Sequence, residues 1–170
     1  MPVAYACPAQ LSRQGAMADK KKKNAPGDFA VNRKAYHDYA VLEKLECGIE
    51  LSGTEVKVVR HGEASLSGAY ASVLGGQLFV EQMHIPVYTF GNRFNHTPLQ
   101  RRRLLAHRRE IEELRLKSEA KGLTLIPLRL YLKRGRIKLE LGVCRGKALH
   151  DKRDALKQKA MRRDMERGDY

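Results

Sequence analysis

Apolar and polar residues alternate on both sides of a two-residue break in the C-terminal half of the chain. The alternating runs Leu128 to Lys133 and Arg136 to Val143 flank Arg134-Gly135. A loop of this kind predicts a β-hairpin with a type I′ turn, because glycine tolerates the positive φ angle that the turn requires. One face is then apolar and pairs Leu132 with Ile137, Leu130 with Leu139, Leu128 with Leu141 and Ile126 with Val143. The other face is polar and pairs Lys133 with Arg136, Tyr131 with Lys138 and Arg129 with Glu140.

The rest of the chain predicts further short strands that would cover the apolar face of this hairpin. Apolar residues recur from Ala40 to Leu51, and a shorter alternating run from Glu55 to Arg60 predicts a strand. Ala69 to Leu74 and Gln77 to Glu81 are separated by Gly75-Gly76, which predicts a second hairpin.

Two helices and one long loop are predicted around these strands. Asn32 fits as the N-cap of a short helix from Arg33 to Tyr39. Residues 82–98 contain two prolines and no periodicity, so we predict a long loop, and loops of that length are often functional. Thr97-Pro98 predicts the start of a longer helix that ends at Gly122. That helix would place Leu104, Leu105, Ile111 and Leu114 on one side. Several short strands with one substantial helix predict a mainly β fold, a small closed OB-fold-like barrel with a few flanking helices.

Charge and cysteine content narrow the functional classes. The chain has 170 residues and a formal net charge of +14, which favours a polyanionic partner, with nucleic acid ahead of an anionic membrane. No stretch is long and apolar enough for a transmembrane helix, so no membrane association is expected. The three cysteines, Cys7, Cys47 and Cys144, are widely spaced without a CxxC motif, which indicates free thiols in a reducing cytoplasm. We expect neither a metal site nor a cofactor.

Both ends of the chain are predicted to lie outside the barrel. Residues 1–27 read as a flexible basic arm that includes four consecutive lysines, and we hypothesise that Met17 is the natural start, so that residues 1–16 are an upstream extension. The barrel is expected to span residues 28–147. Residues 148–170 are too polar to form a core, so we predict a basic tail that is disordered in the free protein.

Candidate chemistry lies in cations and aromatic residues rather than in a catalytic motif. Five arginines fall within nine residues around His107, namely Arg101, Arg102, Arg103, Arg108 and Arg109. Tyr131 and Lys138 share the polar face of the hairpin with further cations, as on barrels that hold nucleic acid, although an ordinary solvated face explains the same pattern. The sequence contains no nucleophile elbow, P-loop, dinucleotide-binding or zinc-protease motif. We therefore predict that the chain is not an enzyme. The alternatives are an RNA-processing enzyme that uses a barrel to hold structured RNA, and a DNA architectural protein.

Several separate motifs, in a specific order, resemble those of the SmpB family of SsrA-binding proteins. They are Asn32 to Tyr39 with His37-Asp38-Tyr39, Glu46-Cys47-Gly48-Ile49, Gly53-Thr54-Glu55-Val56-Lys57, Arg102-Arg103-Leu104-Leu105, Gly122 to Leu128, Gly142 to Lys147, and His150-Asp151-Lys152-Arg153. The resemblance covers roughly residues 24–167. It implies an OB-fold barrel and a non-enzymatic adaptor. The family binds the tRNA-like part of transfer-messenger RNA and carries it to stalled ribosomes for trans-translation.

The resemblance also implies partners. They are transfer-messenger RNA and the ribosome, at the small-subunit decoding site and messenger channel. Elongation factor Tu and alanyl-tRNA synthetase would be reached indirectly through the RNA. The protein is expected to act as a monomer.

The resemblance assigns RNA binding to Glu46, Leu105 and His107, with Tyr39 and Lys138 as further candidates, and the charge pattern adds Arg102, Arg103 and Tyr131. It implies a tail that folds as a helix on the ribosome and senses the empty messenger channel. The tail residues concerned are His150, Asp151, Lys152, Arg153, Lys157, Lys159, Arg162 and Arg163.

Each of the three main assignments has a structural alternative. Glu46 could simply pair with Lys44 or Lys57, since a carboxylate repels phosphate. Leu105 could be one more core leucine beside Leu104. A histidine at the position of His107 is more often a surface or boundary residue than a ligand.

Overall fold

The computed structural model describes residues 27–91, 95–119 and 122–148, together with residues 161 and 165. The strands and helices, in chain order, are β1 (Asp28–Val31), α1 (Arg33–Asp38), β2 (Tyr39–Ile49), α2 (Gly53–Arg60), β3 (Tyr70–Leu74), β4 (Gln77–Glu81), β5 (Arg102–Leu105), α3 (Arg108–Glu119), β6 (Leu123–Lys133) and β7 (Arg136–Gly146). The predicted arm, residues 1–27, lies outside the described residues except for Gly27. The predicted tail, residues 148–170, lies outside them except for Ala148, Met161 and Met165.

The strands form an antiparallel sheet that closes on itself. Its order is β1-β6-β3-β4-β5-β2-β7, and an additional pairing joins β7 to β6. Six strands therefore make a ring, while β1 adds to the outside of β6. The mainly β, small closed barrel with flanking helices is thus confirmed.

The hairpin of β6 and β7 has the predicted turn and half of the predicted apolar register. Arg134 and Gly135 have φ angles of 49° and 75°, as a type I′ turn requires. The predicted pairs from Lys133–Arg136 to Arg129–Glu140 are all present. Beyond them the predicted pairs Leu128 with Leu141 and Ile126 with Val143 are wrong, because the register shifts between Pro127 and Arg129, so that Pro127 pairs with Leu141 and Leu125 with Val143.

This bulge changes the face on which Leu128 lies. Leu125 and Leu130 contribute to the main core inside the barrel. Leu128 instead packs with Ile126, Cys144 and Ala35 in a second cluster beneath α1. Proline has no N–H to donate to a ladder, which favours an irregularity at this point. The carbonyl of Leu128 accepts a hydrogen bond from the N–H of Asn32 at 2.7 Å, so the bulge also anchors the start of α1.

The two short helices are set by their caps. Asn32 caps α1 as predicted, since its side chain accepts a hydrogen bond from the Ala35 N–H. The strand predicted for Glu55 to Arg60 is wrong, because these residues belong to α2. Ser52 and Glu55 form a capping box, in which each side chain accepts a hydrogen bond from the other residue's N–H. That reciprocal pair satisfies two N–H groups at the start of the helix and favours it over a strand.

The helix predicted from Thr97-Pro98 is also corrected. Arg102 to Leu105 form strand β5, which pairs with β4 on one side and β2 on the other. Helix α3 begins only at Arg108, where the His107 N–H donates to the Glu110 carboxylate at 2.8 Å. Residues 120 and 121 are outside the described part of the chain, so the predicted stop at Gly122 is not tested.

None of the helices in the described ranges is long and apolar enough to cross a membrane. Within residues 27–91, 95–119 and 122–148, together with positions 161 and 165, no group of three or more His, Cys, Asp or Glu side chains is placed to hold a metal ion.

Candidate nucleic-acid interface

Four neighbouring strands of the barrel bring candidate residues into one transverse row on the outer surface. Strand pairing places Leu105 of β5 opposite Gly48 of β2, Gly48 opposite Lys138 of β7, and Lys138 opposite Tyr131 of β6. Leu105 is 50% exposed. A Cβ atom on Gly48 would lie 3.1 Å from the Leu105 Cβ, so glycine allows β5 to pack closely at this point. We call Leu105, Gly48, Lys138 and Tyr131 the outer row.

Glu46 is bound to this row by residues of the hairpin. Its Oε2 atom accepts hydrogen bonds from the Tyr131 hydroxyl at 2.5 Å and from the Lys133 Nζ at 2.6 Å. The hydrogen bond from Lys133, followed by that from Tyr131, holds the pKa of the Glu46 carboxyl below its ordinary value. The alternative partners considered from sequence are wrong, since Lys44 pairs with Glu140 and Lys57 lies over the Tyr88 ring. Glu46 therefore orients a phenol and an ammonium group that can face a ligand.

The ring of Tyr131 is fixed from its other side by Arg129. The guanidinium carbon of Arg129 lies 4.7 Å from the centre of the Tyr131 ring. Arg129 is held in turn by Glu140, whose carboxylate accepts a hydrogen bond from the Arg129 Nε at 2.9 Å. Burial and the hydrogen bond to Glu46 raise the pKa of Tyr131 to about 12, so the phenol keeps its proton near neutral pH.

A charged cleft adjoins the outer row at the tip of the hairpin. It has a volume of about 520 Å³ and is lined by Glu46, Lys133, Arg134, Arg136 and Lys138. We call this space the basic cleft. Four cationic side chains face one carboxylate, and that carboxylate already accepts a hydrogen bond from Lys133. An excess of positive charge in a concave site attracts phosphate groups.

The basic cleft includes three residues that the sequence reasoning did not place in the site, namely Lys133, Arg134 and Arg136. The signal was available, because the hairpin loop itself is Arg-Gly between a lysine and an arginine. A tight turn necessarily brings the ends of its two strands together, so these cations converge.

Strand β5 separates its side chains between the core and the surface. Leu104 is 1% exposed and belongs to the main core, whereas Leu105 lies outside it. Arg103 is exposed on the same side as Leu105. His107 is exposed at the N-terminus of α3, two residues beyond Leu105. Leu105 therefore lies in the outer row, and Glu46 is hydrogen-bonded to Tyr131 of that row. His107 follows two residues after Leu105 in the chain.

Arg102 is a correction to the predicted interface. Its side chain is 1% exposed, and its Nε atom donates to the Glu55 carboxylate at 2.7 Å. Its terminal nitrogens donate to the carbonyl groups of Met83, Gln100 and Pro98. A guanidinium group enclosed in this way is not available to a phosphate. Alternation along β5 directs Arg102 inwards and Arg103 outwards, so only Arg103 remains a candidate.

Tyr39 lies far from the outer row. It pairs with Gly146 at the opposite end of β2 and packs partly on the cluster beneath α1. It lies seven positions before Glu46 along β2, a distance of roughly 23 Å. The structure therefore does not bring Tyr39 together with the other candidates. The predicted tail residues, His150 to Arg163, lie outside the described part of the chain.

Comparison with known proteins places this chain in a family. The family model described as SmpB protein matches residues 29–169. An SsrA-binding protein of Staphylococcus haemolyticus is 53% identical over 148 residues, which cover 87% of this chain and 95% of that protein. One from Staphylococcus carnosus is 52% identical over the same length, with the same coverage. Among solved structures, a chain described as "tmRNA-SmpB: a journey to the center of the bacterial ribosome" matches with a TM-score of 0.60 and 42% identity, covering 74% of this chain and 92% of the other. The chain belongs to the SmpB family.

Proposed function

We propose that this chain is a non-enzymatic RNA-binding adaptor, which binds the tRNA-like domain of transfer-messenger RNA and delivers it to stalled ribosomes for trans-translation. The observation that carries the proposal is the outer row with its adjoining basic cleft, in which an apolar, an aromatic and several cationic side chains share one face. The name SsrA-binding protein, carried by the relatives, supports this RNA as the partner. The description of the similar structure supports the ribosome as the place of action.

The geometry suggests a division of roles within the interface. The cations of the basic cleft hold phosphates, which position the RNA without reading its sequence. Glu46 keeps Lys133 and Tyr131 in place, so its carboxylate acts through its neighbours rather than against the phosphates. Leu105, with Arg103 and His107 near it, forms the part of the surface that can contact unpaired bases.

Binding of the purified protein to the isolated tRNA-like domain tests this function. We expect a stoichiometric complex, intact RNA and a steep salt dependence, because each phosphate contact contributes about 0.7 to 0.9 to the log–log slope. The double substitution Arg136→Gln with Lys138→Gln should therefore reduce that slope by about 1.4 to 1.8. As a matched control, Arg115→Gln with Lys117→Gln should leave the slope unchanged, since carboxylates of the protein already bind both cations.

Two results would contradict the adaptor. Turnover of the RNA during the assay would favour the RNA-processing enzyme. Equal or stronger binding to duplex DNA would favour an architectural protein.

We further propose that residues 148–170 fold as a helix in the vacant messenger channel and thereby report that messenger is absent. The support from structure is the point at which the barrel ends. The Lys147 N–H donates to the Asp38 carbonyl at 3.0 Å, and the Lys147 Nζ donates to the Tyr36 carbonyl at 3.1 Å, so the last residue before the tail is tied to α1. The tail contacts would come from His150 on a base of the small-subunit RNA, from Lys152 and Arg153 on phosphates, and from further cations along the helix.

Truncation after Lys147 separates the two activities. We expect the shortened protein to bind the tRNA-like domain with nearly unchanged affinity and to fail to support tagging of nascent chains on stalled ribosomes. A truncated protein that still supports tagging would refute this role of the tail. A tail already helical in the free protein by NMR would refute folding on the ribosome.

The same proposal places the protein in the cytoplasm as a monomer. Elongation factor Tu and alanyl-tRNA synthetase would join the complex through the RNA rather than through the barrel. Removal of the RNA with ribonuclease should therefore release both proteins from the purified assembly.

A further inference from the structure

A second cleft lies beside the outer row, and its character differs from that of the basic cleft. It has a volume of about 350 Å³. Three half-buried residues, Ile49, Leu51 and Ile137, line it and pack on the barrel core beneath. Val56 of α2 and Leu105 of β5 also line it, and neither belongs to the core cluster. We call this space the apolar cleft.

Three cations accompany the apolar lining. Arg60 comes from the last turn of α2, while Arg136 and Lys138 come from β7. Arg136 and Lys138 line the basic cleft as well, so the two clefts share one wall. A ligand that spans this wall meets an apolar surface on one side and a concentration of positive charge on the other.

We propose that the apolar cleft receives the base of one unpaired nucleotide, whose phosphate lies in the basic cleft. A nucleotide is the component of RNA that joins a flat, weakly polar group to an anion within one residue, and the two clefts present the matching surfaces side by side. The inference rests on the proposed function and adds Val56, Arg60 and Ile137 to the site. It also gives Gly48 a role, because a larger residue there would displace Leu105 from the cleft wall.

This arrangement explains how a small barrel selects folded RNA over a uniform duplex. A base in a duplex is paired and stacked, so it cannot enter the cleft. An unpaired base in a loop is available, and stacking against side chains or guanidinium planes replaces its contacts in the RNA. The basic cleft by itself would bind the phosphates of folded RNA and of a duplex alike. The apolar cleft therefore supplies the preference for folded RNA.

Replacing single bases by the fluorescent analogue 2-aminopurine identifies the nucleotide. The probe is the tRNA-like domain of transfer-messenger RNA with 2-aminopurine at one unpaired position at a time, titrated with the full-length protein. We expect a saturable change in fluorescence, with one-to-one stoichiometry, at one loop position or at a few adjacent ones.

Filling the cleft provides the decisive variant. Val56→Phe adds a ring to a half-buried residue of α2 that lies outside the core cluster. It should weaken RNA binding about tenfold or more and abolish the fluorescence change. The slope of affinity against salt should stay the same, because the phosphate contacts remain. The control is Val87→Phe, at a valine that is 46% exposed and lines neither cleft. It should behave as the unmodified protein.

A second pair of variants keeps the test valid if Val56→Phe lowers the melting temperature. Arg60→Gln removes a cation from the apolar cleft, and the control Arg115→Gln removes an exposed arginine of α3 that lines neither cleft. Of these two variants, only Arg60→Gln should weaken binding and reduce the fluorescence change. If the unmodified protein binds the RNA but neither Val56→Phe nor Arg60→Gln alters the fluorescence change, the base site is wrong and the proposed function stands. If the unmodified protein does not bind the RNA, the proposed function itself fails.

Discussion

Arg102→Ala is expected to destabilise the barrel strongly while the adjacent Arg103→Ala is not. The Arg102 guanidinium donates to the Glu55 carboxylate at 2.7 Å and to the carbonyls of Met83 at 2.6 Å, Gln100 at 3.0 Å and Pro98 at 3.1 Å. Both partners of the ion pair are 1% exposed. Alanine would leave the buried carboxylate without its cation and three carbonyl groups without this donor.

The expected loss follows from that enclosure. Removing one partner of a buried ion pair typically costs about 3–5 kcal/mol in the free energy of unfolding. Glu55 keeps hydrogen bonds from the Ser52 N–H at 2.8 Å and the Gln100 amide at 2.9 Å, so the loss should stay within this range. For a chain of this size, about 3–5 kcal/mol lowers the melting temperature by roughly 6–20 °C.

Urea and thermal unfolding measure the effect, and two controls sharpen it. Arg103→Ala removes an exposed side chain on the same strand and should change stability by less than about 0.5 kcal/mol, while weakening RNA binding. Replacing both partners, as Glu55→Met with Arg102→Met, should recover most of the stability, because neither charge is then buried alone. A loss below about 1 kcal/mol for Arg102→Ala, or equal losses for the two arginines, would refute the reasoning.

Three further outcomes are expected. Leu105→Ala should cost less than about 1 kcal/mol of stability, rather than the roughly 2–5 kcal/mol of a buried leucine, yet weaken RNA binding at least tenfold. A variant that urea titration shows to be unfolded would mean that Leu105 is a core residue. Burial opposes ionisation of Glu55, but hydrogen bonds from the Ser52 N–H and from Arg102 outweigh it and lower the pKa of the carboxyl below its ordinary value. The unfolded chain therefore takes up this proton at a higher pH than the folded one. The contribution of Glu55 to stability should be constant above about pH 5 and fall as the pH drops further, so Glu55→Gln should show a shallower fall. Burial raises the pKa of the Cys47 thiol to about 12, and Cys144 is fully buried, so in Cys7→Ser a thiol reagent should react only on unfolding; rapid labelling of the native variant would contradict this packing.

Local sequence determined the parts of this fold in which a few neighbouring residues suffice. Arg134-Gly135 specifies the hairpin turn, because its backbone needs two positive φ angles and the flanking residues alternate. Gly75-Gly76 does the same for β3 and β4. Asn32 specifies the start of α1 through its own side chain. Ser52 and Glu55 carry an equally local signal for α2, the capping box. The alternation of the following residues instead predicted a strand.

Elements that depend on distant partners were decided by the tertiary structure. Arg102 to Leu105 lie at helical spacing with the leucines of α3, yet they form a strand because β4 and β2 offer hydrogen bonds on both sides. Once the strand forms, its two-residue period buries Arg102 and Leu104 and exposes Arg103 and Leu105. The bulge at Leu128 likewise arises where β6 must serve the barrel core on one face and α1 on the other.

The candidate site shows the same division. Sequence alone determined the kinds of residue involved, through the excess of cations, the alternating hairpin and the family motifs around Glu46 and Leu105. It did not show that Arg102 is internal, that Tyr39 lies at the far end of β2, or that the turn cations face Glu46. Those facts depend on the register between β5, β2, β7 and β6, which pairs residues as distant in sequence as Gly48 and Lys138, 90 positions apart. Only closure of the barrel sets that register, because each strand's position is determined by hydrogen bonds to both of its neighbours.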